Sequence, residues 1–164
     1  MAVVGSGGAG KSTFARALGE RTGLPVVHLD AHFWRPGWAE PPRDEWRAQQ
    51  AELVAADEWI MDGNYGGTFD LRFAAADTIV VMALSRWRCV AAVVRRVVRD
   101  HGRETQAPGC PERFDLAFLR WVWRYPIDAR RRLDAALERV DGAEVVELTT
   151  RGAVRRFLAG VSGD

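Results

Sequence analysis

The sequence predicts an α/β protein, a parallel β-sheet covered by helices on both faces. Two observations carry this prediction. Short apolar segments alternate along the chain with longer helical patterns, as in strands joined by crossover helices. A glycine-rich segment follows the first apolar segment directly, at the position where phosphate-binding loops join a strand to a helix.

Five short apolar segments are predicted to form the strands of this sheet. The fourth is the clearest, because it contains an unbroken β-branched run that starts at Thr78. The predicted strands cover residues 1–4, 25–29, 59–61, 78–84 and 144–148. Ligands of such sheets gather at the carboxyl ends of the strands, so the residues that follow each strand are the candidates for a site.

Helical patterns fill most of the intervals between these strands. Two prolines precede the second helix, and Pro126 is expected to kink or divide the long fourth one. Residues 102–111 contain Pro and Gly and are predicted to be a loop. The predicted helices cover residues 10–21, 44–56, about 87–97, about 114–140 and 154–158.

Length and composition narrow the class of protein. The 164 residues are expected to form one domain, 1–164, and the 48% of hydrophobic residues is typical of a globular chain. The net charge of +1 gives no reason to expect nucleic-acid or membrane binding. No apolar run approaches the roughly 20 residues that span a bilayer, and we expect a cytoplasmic protein with two reduced cysteines.

The strongest functional signal is a G-x-x-x-x-G-K-[ST] motif, the P-loop. Its backbone N–H groups turn inward around a phosphate chain, and the following helix directs its positive end at the same anion. Lys11, the only lysine, would reach the β- and γ-phosphates of ATP, and the Ser12 hydroxyl would ligate Mg²⁺. The residues assigned to the nucleotide are Gly5, Ser6, Gly7, Gly8, Ala9, Gly10, Lys11, Ser12 and Thr13.

Two aspartates at the ends of predicted strands are further candidates for the same site. Asp62 ends an apolar strand, as the Walker-B carboxylate that holds Mg²⁺ does, and it is also a candidate for the acceptor site. Asp30 ends the second predicted strand, where a carboxylate could orient an acceptor hydroxyl or take its proton. Either aspartate could instead be an ordinary turn residue.

Further acceptor-site candidates follow Asp30. His32 could line an acceptor pocket, and Trp34 belongs to an aromatic, turn-forming segment over residues 33–38. These aromatic rings would form either a wall for a substrate or the core of a mobile flap, and the pattern does not choose between the two.

Arginines crowd the second half of the chain. Arg120 and Arg124 are four residues apart and share a helix face, and Arg103 enters the preceding loop. Arginines that close over the phosphates would neutralise charge in a phosphoryl transfer and exclude water. We therefore predict a lid over about residues 99–124, with these three arginines as catalytic candidates; a solvated helix face is the alternative.

With these residues identified, the chain resembles the adenylate-kinase-related family of topology-modulation (FlaR-type) proteins. The matching stretches are GSGGAGKST from Gly5, HLDAHFWRPGW from His28, WIMDGNYGGTFDLR from Trp59 and GCPERFDLAFLRWVWRYP from Gly109. The resemblance implies a nucleoside-monophosphate-kinase fold with a five-stranded parallel sheet and a lid. It also implies that Arg72 lies near the acceptor and that Arg95 or Arg96, with Arg103, binds phosphate from the lid.

The sequence therefore predicts an ATP- and Mg²⁺-dependent phosphotransferase that acts on a hydroxyl or phosphate of a small molecule. Its Asp62-Gly63-Asn64-Tyr65-Gly66 segment departs from the Asp-Gly-Phe-Pro-Arg of adenylate-type kinases. Two alternatives remain: a nucleoside monophosphate kinase, and a regulator in which bound ATP orders the lid for a protein partner. The acceptor and the oligomeric state stay open.

Overall fold

A computed structural model describes residues 1–161, which form five parallel strands flanked by helices. The strand order is β2-β3-β1-β4-β5, so the first strand is central. The predicted parallel α/β sheet of five strands is confirmed. The strands are β1 (Ala2–Gly5), β2 (Val26–His28), β3 (Ile60–Asp62), β4 (Thr78–Met82) and β5 (Glu144–Leu148).

Within residues 1–161, seven α-helices connect and cover these strands. A short 3₁₀ turn, Gly66–Thr68, leads directly into the fourth of them. The helices are α1 (Lys11–Thr22), α2 (Leu29–Phe33), α3 (Arg43–Val54), α4 (Phe69–Ala75), α5 (Arg86–Asp100), α6 (Leu116–Leu137) and α7 (Arg151–Gly160).

The central strand β1 divides the interior into two hydrophobic clusters. Successive side chains of a strand point to opposite faces, so Val3 joins one cluster while Ala2 and Val4 join the other. All four residues of β1 are buried. A strand buried on both faces must be apolar throughout, which explains why such a short segment was recognisable in the sequence.

Two helices, α2 and α4, were not predicted, and β2 ends one residue earlier than predicted. α2 begins at Leu29, so β2 ends at His28 and Asp30 lies in the first turn of a helix rather than just after a strand. α4 was not predicted, because its seven residues are too few to show a clear helical period. Short elements of this kind depend on tertiary packing more than on local pattern.

Of the two effects expected of Pro126, a kink or a division of the long helix, division does not occur, because α6 runs unbroken over Leu116–Leu137. Proline removes one backbone donor from a helix interior. Here Val122 and Tyr125 on one side of Pro126, and Leu133 on the other, are all buried. Burial of both halves keeps the helix continuous across the missing donor.

The register of the sheet places the candidate residues at one edge. His28 pairs with Asp62 across β2 and β3, and Val3 pairs with Asp62 across β1 and β3. The loop that follows β1 and the carboxylate that ends β3 therefore lie side by side. Residues 101–115 connect α5 to α6, a shorter segment than the predicted lid of 99–124. Within residues 1–161, no helix is both long enough and apolar enough to cross a membrane.

Candidate active site

The P-loop joins β1 to α1 and surrounds the amino group of its lysine. Lys11 opens α1 and its Nζ donates to the Ser6 carbonyl oxygen at 3.0 Å. Gly10, in the left-handed conformation with φ 88°, caps the helix without a side chain. The free N–H groups of the first turn of α1 consequently face the loop, which is the geometry that binds phosphate at a helix N-terminus.

The ammonium of Lys11 interacts electrostatically with both candidate aspartates. Burial lowers the pKa of Lys11, and the carboxylates of Asp30 and Asp62 oppose that shift by stabilising the ammonium. Both carboxylates therefore lie within electrostatic range of the lysine Nζ. An arriving phosphate chain would add negative charge at the same point and hold the lysine protonated.

Ser12 and Asp62 form an oxygen pair beside the loop. The Ser12 hydroxyl donates to Asp62 Oδ2 at 2.7 Å, and Asp62 is 4% exposed. Within residues 1–161 no cluster of three metal-ligating side chains exists. Mg²⁺ in kinases commonly takes one or two protein oxygens and completes its shell with phosphates and water, and this pair fits that coordination.

His28 contacts the other oxygen of Asp62, which sequence reasoning did not anticipate. Its Nδ1 is hydrogen-bonded to Asp62 Oδ1, and this bond raises the pKa of His28 against the effect of burial. The sequence held a signal for the pair, since both residues end neighbouring strands.

Asp30 is held by a tyrosine that the sequence did not single out. The Tyr65 hydroxyl donates to Asp30 Oδ1 at 2.5 Å, and burial raises the pKa of Tyr65, so the phenol keeps its proton. In the part of the chain that the structure describes, no donor bonds Asp30 Oδ2. The carboxylate is thereby oriented through one oxygen and available through the other.

Aromatic rings pack around Tyr65, the residue that holds Asp30. Phe33 lies at their centre, with its ring centroid 4.6 Å from that of Tyr65, 4.8 Å from Trp34 and 5.0 Å from Trp46. Trp34 also packs edge-on against Trp38 at 5.5 Å. His32 is exposed beside this cluster. Acceptor-binding roles for His32 and Trp34 stay predictions.

Asn64 ties the end of β3 to the P-loop strand and to α6. Its Oδ1 accepts hydrogen bonds from the Gly5 backbone N–H at 3.3 Å and the Tyr125 hydroxyl at 2.8 Å. Besides Asp62, the motif Asp62-Gly63-Asn64-Tyr65 thus supplies two side chains that organise the site, those of Asn64 and Tyr65. Only the departure of this segment from the adenylate-kinase pattern pointed to it in the sequence.

Arg72, expected near an anionic acceptor, lies in the interior. It is 0% exposed, and its Nη1 and Nη2 donate to the carbonyl oxygens of Gly63 at 2.8 Å and Tyr65 at 3.0 Å. Burial lowers the pKa of Arg72 to about 10, so the guanidinium remains charged at neutral pH. This geometry supports a role in shaping the turn after β3, and acceptor binding by Arg72 stays an untested prediction.

Arg72→Ala is expected to destabilise the fold by roughly 3 kcal/mol, since it leaves two carbonyls without partners and opens a cavity. Chemical unfolding measures the change, with Arg139→Ala, at an exposed arginine of the chain, as the control. A variant that unfolds at the wild-type denaturant concentration but no longer binds an acceptor would instead favour the predicted substrate role.

A cavity opens beside the P-loop. Its volume is about 350 Å³, and α1, α5 and α7 all contribute to its walls. Its size suits a planar ring system that continues from a phosphate chain in the loop. The lining residues include Gly8, Thr13, Ala17, Arg88, Arg151 and Leu158.

The connection between α5 and α6 reaches across to the aromatic segment. The Gly37 backbone N–H donates to the Gly109 carbonyl oxygen at 2.8 Å, and the Trp38 indole donates to that of Pro111 at 3.0 Å. Trp38 has φ 65°, a left-handed backbone that is rare for a bulky residue. The tertiary contact therefore holds a conformation that the local sequence disfavours.

The three arginines assigned to the lid lie in two places, Arg103 in the connection between α5 and α6 and Arg120 and Arg124 together on α6. Arg103 is 74% exposed, with Asp100 as its ion-pair partner at 3.9 Å. Arg124 pairs with Asp128 at 2.7 Å, and Arg120 is exposed on the same face of α6. Arg120 and Arg124 line a groove of about 230 Å³ with Trp121 and Tyr125. Their predicted catalytic roles remain untested.

No protein-family model and no curated protein matches the chain. Solved structures of several kinases resemble it along nearly its whole length. Shikimate kinase from Acinetobacter baumannii, in complex with shikimate, has 20% identity and a TM-score of 0.59 over 96% of this chain and 87% of its own. A sugar kinase from Janibacter sp. HTCC2649 has 19% identity and a TM-score of 0.53 over 96% and 91%. A candidate kinase from Chloroflexus aurantiacus has 15% identity and a TM-score of 0.53 over 96% and 94%.

Identities this low show the fold alone. Each likeness covers 96% of this chain, so it spans the sheet and most of the helices that cover it. The chain therefore has the α/β fold of P-loop kinases, of the nucleoside-monophosphate-kinase type.

Proposed function

We propose that this protein transfers the γ-phosphoryl group of ATP to a hydroxyl group of a small molecule, with Mg²⁺. The observation that carries the proposal is the Ser12–Asp62 pair, joined at 2.7 Å beside the P-loop lysine, whose charge Asp30 and Asp62 both stabilise. A P-loop with one carboxylate for the metal and another for an acceptor is the arrangement that phosphotransfer requires.

ATP would bind with its phosphates in the P-loop and its base in the adjacent cavity. The Lys11 ammonium and the N–H groups of α1 would hold the β- and γ-phosphates. Ser12 and Asp62 would hold Mg²⁺, which when bound supplies neutralising charge across the phosphate oxygens. The walls formed by Arg88 and Arg151 would flank the base.

Asp30 would orient the acceptor and take its proton. Tyr65 donates to Oδ1 of Asp30, so Oδ2 would accept the hydrogen bond of the acceptor hydroxyl group. As the hydroxyl oxygen bonds to phosphorus, its proton passes to Asp30 and ADP leaves. The contacts between residues 37–38 and 109–111 would hold the lid closed and limit access of water.

The burial of Arg72 favours a hydroxyl acceptor over a phosphate acceptor. The guanidinium expected to bind an anionic acceptor is 0% exposed and already donates to two carbonyl oxygens. A nucleoside monophosphate would need cationic donors near Asp30 to offset like-charge repulsion. We accordingly favour neutral hydroxylated metabolites, and we propose membership of the topology-modulation-type kinase family and a cytoplasmic location on sequence grounds.

The test is ADP release from Mg²⁺ and ATP with panels of hydroxylated metabolites and nucleoside monophosphates. We expect one hydroxyl compound to raise the rate at least about tenfold over hydrolysis and to gain one phosphoryl group by mass. Stimulation by a monophosphate alone would establish the nucleotide-kinase alternative. ATP binding with no stimulated turnover in either panel would favour the regulatory ATPase and contradict the proposal.

A further inference from the structure

We propose that the outer surface of helices α5 and α6 binds an anionic lipid bilayer. Its apolar side chains would enter the boundary between headgroups and acyl chains, and its arginines would contact the anionic headgroups. The inference rests on the exposure, spacing and charge of the side chains on these two helices. It does not depend on the proposed function, because neither the nucleotide nor the acceptor takes part.

A strip of apolar side chains follows the line along which α5 and α6 pack together. Each helix contributes three of them, the second and third lying seven and eleven residues after the first, which places all three on one helix face. Trp87 and Trp123 join the two halves, with ring centroids 4.5 Å apart, and the Arg86 guanidinium lies over the Trp123 ring at 5.1 Å. This apolar strip consists of Trp87, Val94, Val98, Leu116, Trp123 and Ile127.

The apolar strip is not part of the hydrophobic core. Trp87 is 71% exposed, Val98 77% and Leu116 70%, whereas Val93 of α5 and Val122 of α6 are buried against the sheet. Each helix therefore covers the core with one apolar face and presents a second one to solvent. A single exposed apolar residue is ordinary, but a continuous set across two packed helices indicates an interaction surface.

Arginines lie along both outer margins of the apolar strip. The α5 stretch Arg86–Arg99 contains five arginines and no acidic residue. Arg95 directly follows Val94 on α5, and Arg131 lies one turn beyond Ile127 on α6; both arginines are exposed. Among residues 1–161, the ion pairs of these two helices involve other arginines, so both guanidinium groups are free to meet an anionic surface.

The basic margins are one half of a charge separation along the chain. Residues 30–77 contain ten acidic residues and four arginines, whereas residues 78–99 contain arginines alone among their charged residues. The net charge of +1 averages these two stretches. It gave no reason to expect membrane binding because association with a charged surface depends on the local field rather than on the total.

The charge of this surface favours a bilayer over a second copy of the chain. A two-fold dimer through α5 would bring two arginine-rich helices together, with no acidic residue between Asp77 and Asp100 to pair with them. A bilayer interface instead offers headgroup phosphates to the arginines and an apolar boundary to the strip, and tryptophan is favoured at that boundary.

The shape of the strip favours a bilayer over a folded protein partner. The side chains of Trp87, Val98 and Leu116 have most of their surface uncovered, so they project from the helices rather than enclose a groove. A protein partner would need pockets matched to each projecting side chain. A fluid interface accommodates such side chains wherever they stand, while the long arginine stems lie along the apolar surface and reach the headgroups.

The experiment measures sedimentation of the full chain, without nucleotide, with two kinds of vesicle. One is pure phosphatidylcholine, and the other is an equal mixture of phosphatidylcholine and phosphatidylglycerol. We expect binding to the mixed vesicles at least about tenfold tighter than to the pure ones, falling as salt screens the arginines. Equal binding to both kinds would overturn the anionic preference. Binding to neither would overturn the proposal and favour an acidic protein partner for the strip.

Two variants of the apolar strip test whether it enters the bilayer. Val98→Ser and Leu116→Ser should each weaken binding to the mixed vesicles about tenfold, because one exposed apolar side chain no longer leaves water on binding. Thermal unfolding should stay near wild type, since both positions are exposed. The control is Val145→Ser, at an exposed valine of β5 outside the strip. Wild-type binding by both strip variants, or an equal loss in the control, would contradict insertion of the strip.

Charge reversal tests the arginine margins. Arg95→Glu and Arg131→Glu should each weaken binding to the mixed vesicles at least about tenfold and make it less dependent on salt. Arg43→Glu, at an exposed arginine of α3, changes the net charge by the same amount and should bind like wild type. Equal losses in all three variants would show an effect of total charge and overturn the assignment to this surface.

These outcomes are separate from those of the proposed function. A protein that phosphorylates an acceptor but ignores vesicles would retain the proposed kinase activity and lose this surface. A protein that binds mixed vesicles through the strip but turns over no acceptor would retain the surface and lose the kinase.

Discussion

Lys11→Ala is expected to reduce phosphotransfer at least about a hundredfold, which corresponds to about 3 kcal/mol of transition-state stabilisation. The Nζ of Lys11 lies inside the P-loop, bonded to the Ser6 carbonyl oxygen, and both candidate carboxylates act on its charge. In the proposed mechanism, removing the ammonium takes away the P-loop cation that would neutralise the γ-phosphoryl group as charge moves to the leaving oxygen.

The same substitution should leave folding nearly unchanged. Burial lowers the pKa of Lys11, so its charged form is disfavoured by the fold, and removing it takes away a desolvated cation. ADP release and thermal unfolding are measured together, with Arg21→Ala, at an exposed arginine in the last turn of α1, as the control. Wild-type turnover by a folded Lys11→Ala protein would contradict the proposed mechanism.

Asp30→Asn is expected to lower kcat between about 10² and 10⁴-fold once the acceptor is known, the usual contribution of a general base. The amide oxygen still accepts the hydrogen bond from Tyr65, so the side chain keeps its place. It can no longer take a proton from the acceptor hydroxyl. ATP affinity should change little, because Asp30 is assigned to the acceptor rather than to the nucleotide.

Steady-state kinetics with both substrates separate these effects, and Asp57→Asn, at an exposed turn residue, serves as the control. A fall in kcat that is equalled by Asp57→Asn would indicate a general effect of lost charge. An unchanged kcat would remove Asp30 from the chemistry and leave it a helix-start residue of α2.

Local sequence was sufficient for the fold class and the phosphate loop. The P-loop is contiguous, and its glycines and the helix that begins at Lys11 follow from backbone conformations that neighbouring residues impose. Asp62 was predictable for a related reason, since an apolar strand that ends in a carboxylate places that group at the edge where ligands collect. Because each residue follows the carboxyl end of a predicted strand, the sequence was sufficient to place Ser12 and Asp62 at the same edge of the sheet.

Tertiary packing decided the rest. Whether Arg72 binds an acceptor or supports a turn depends on which way a short helix faces, and α4 turns its guanidinium toward the carbonyls of Gly63 and Tyr65. The pairs Tyr65–Asp30 and Arg96–Glu112 join residues 35 and 16 positions apart, and no periodicity encodes such partners. The sequence by itself determined the α/β sheet and the loop that holds phosphate, because these arise from short-range backbone rules. The structure alone decided which charged side chains are buried and which remain free, because desolvation depends on what the whole fold packs around them.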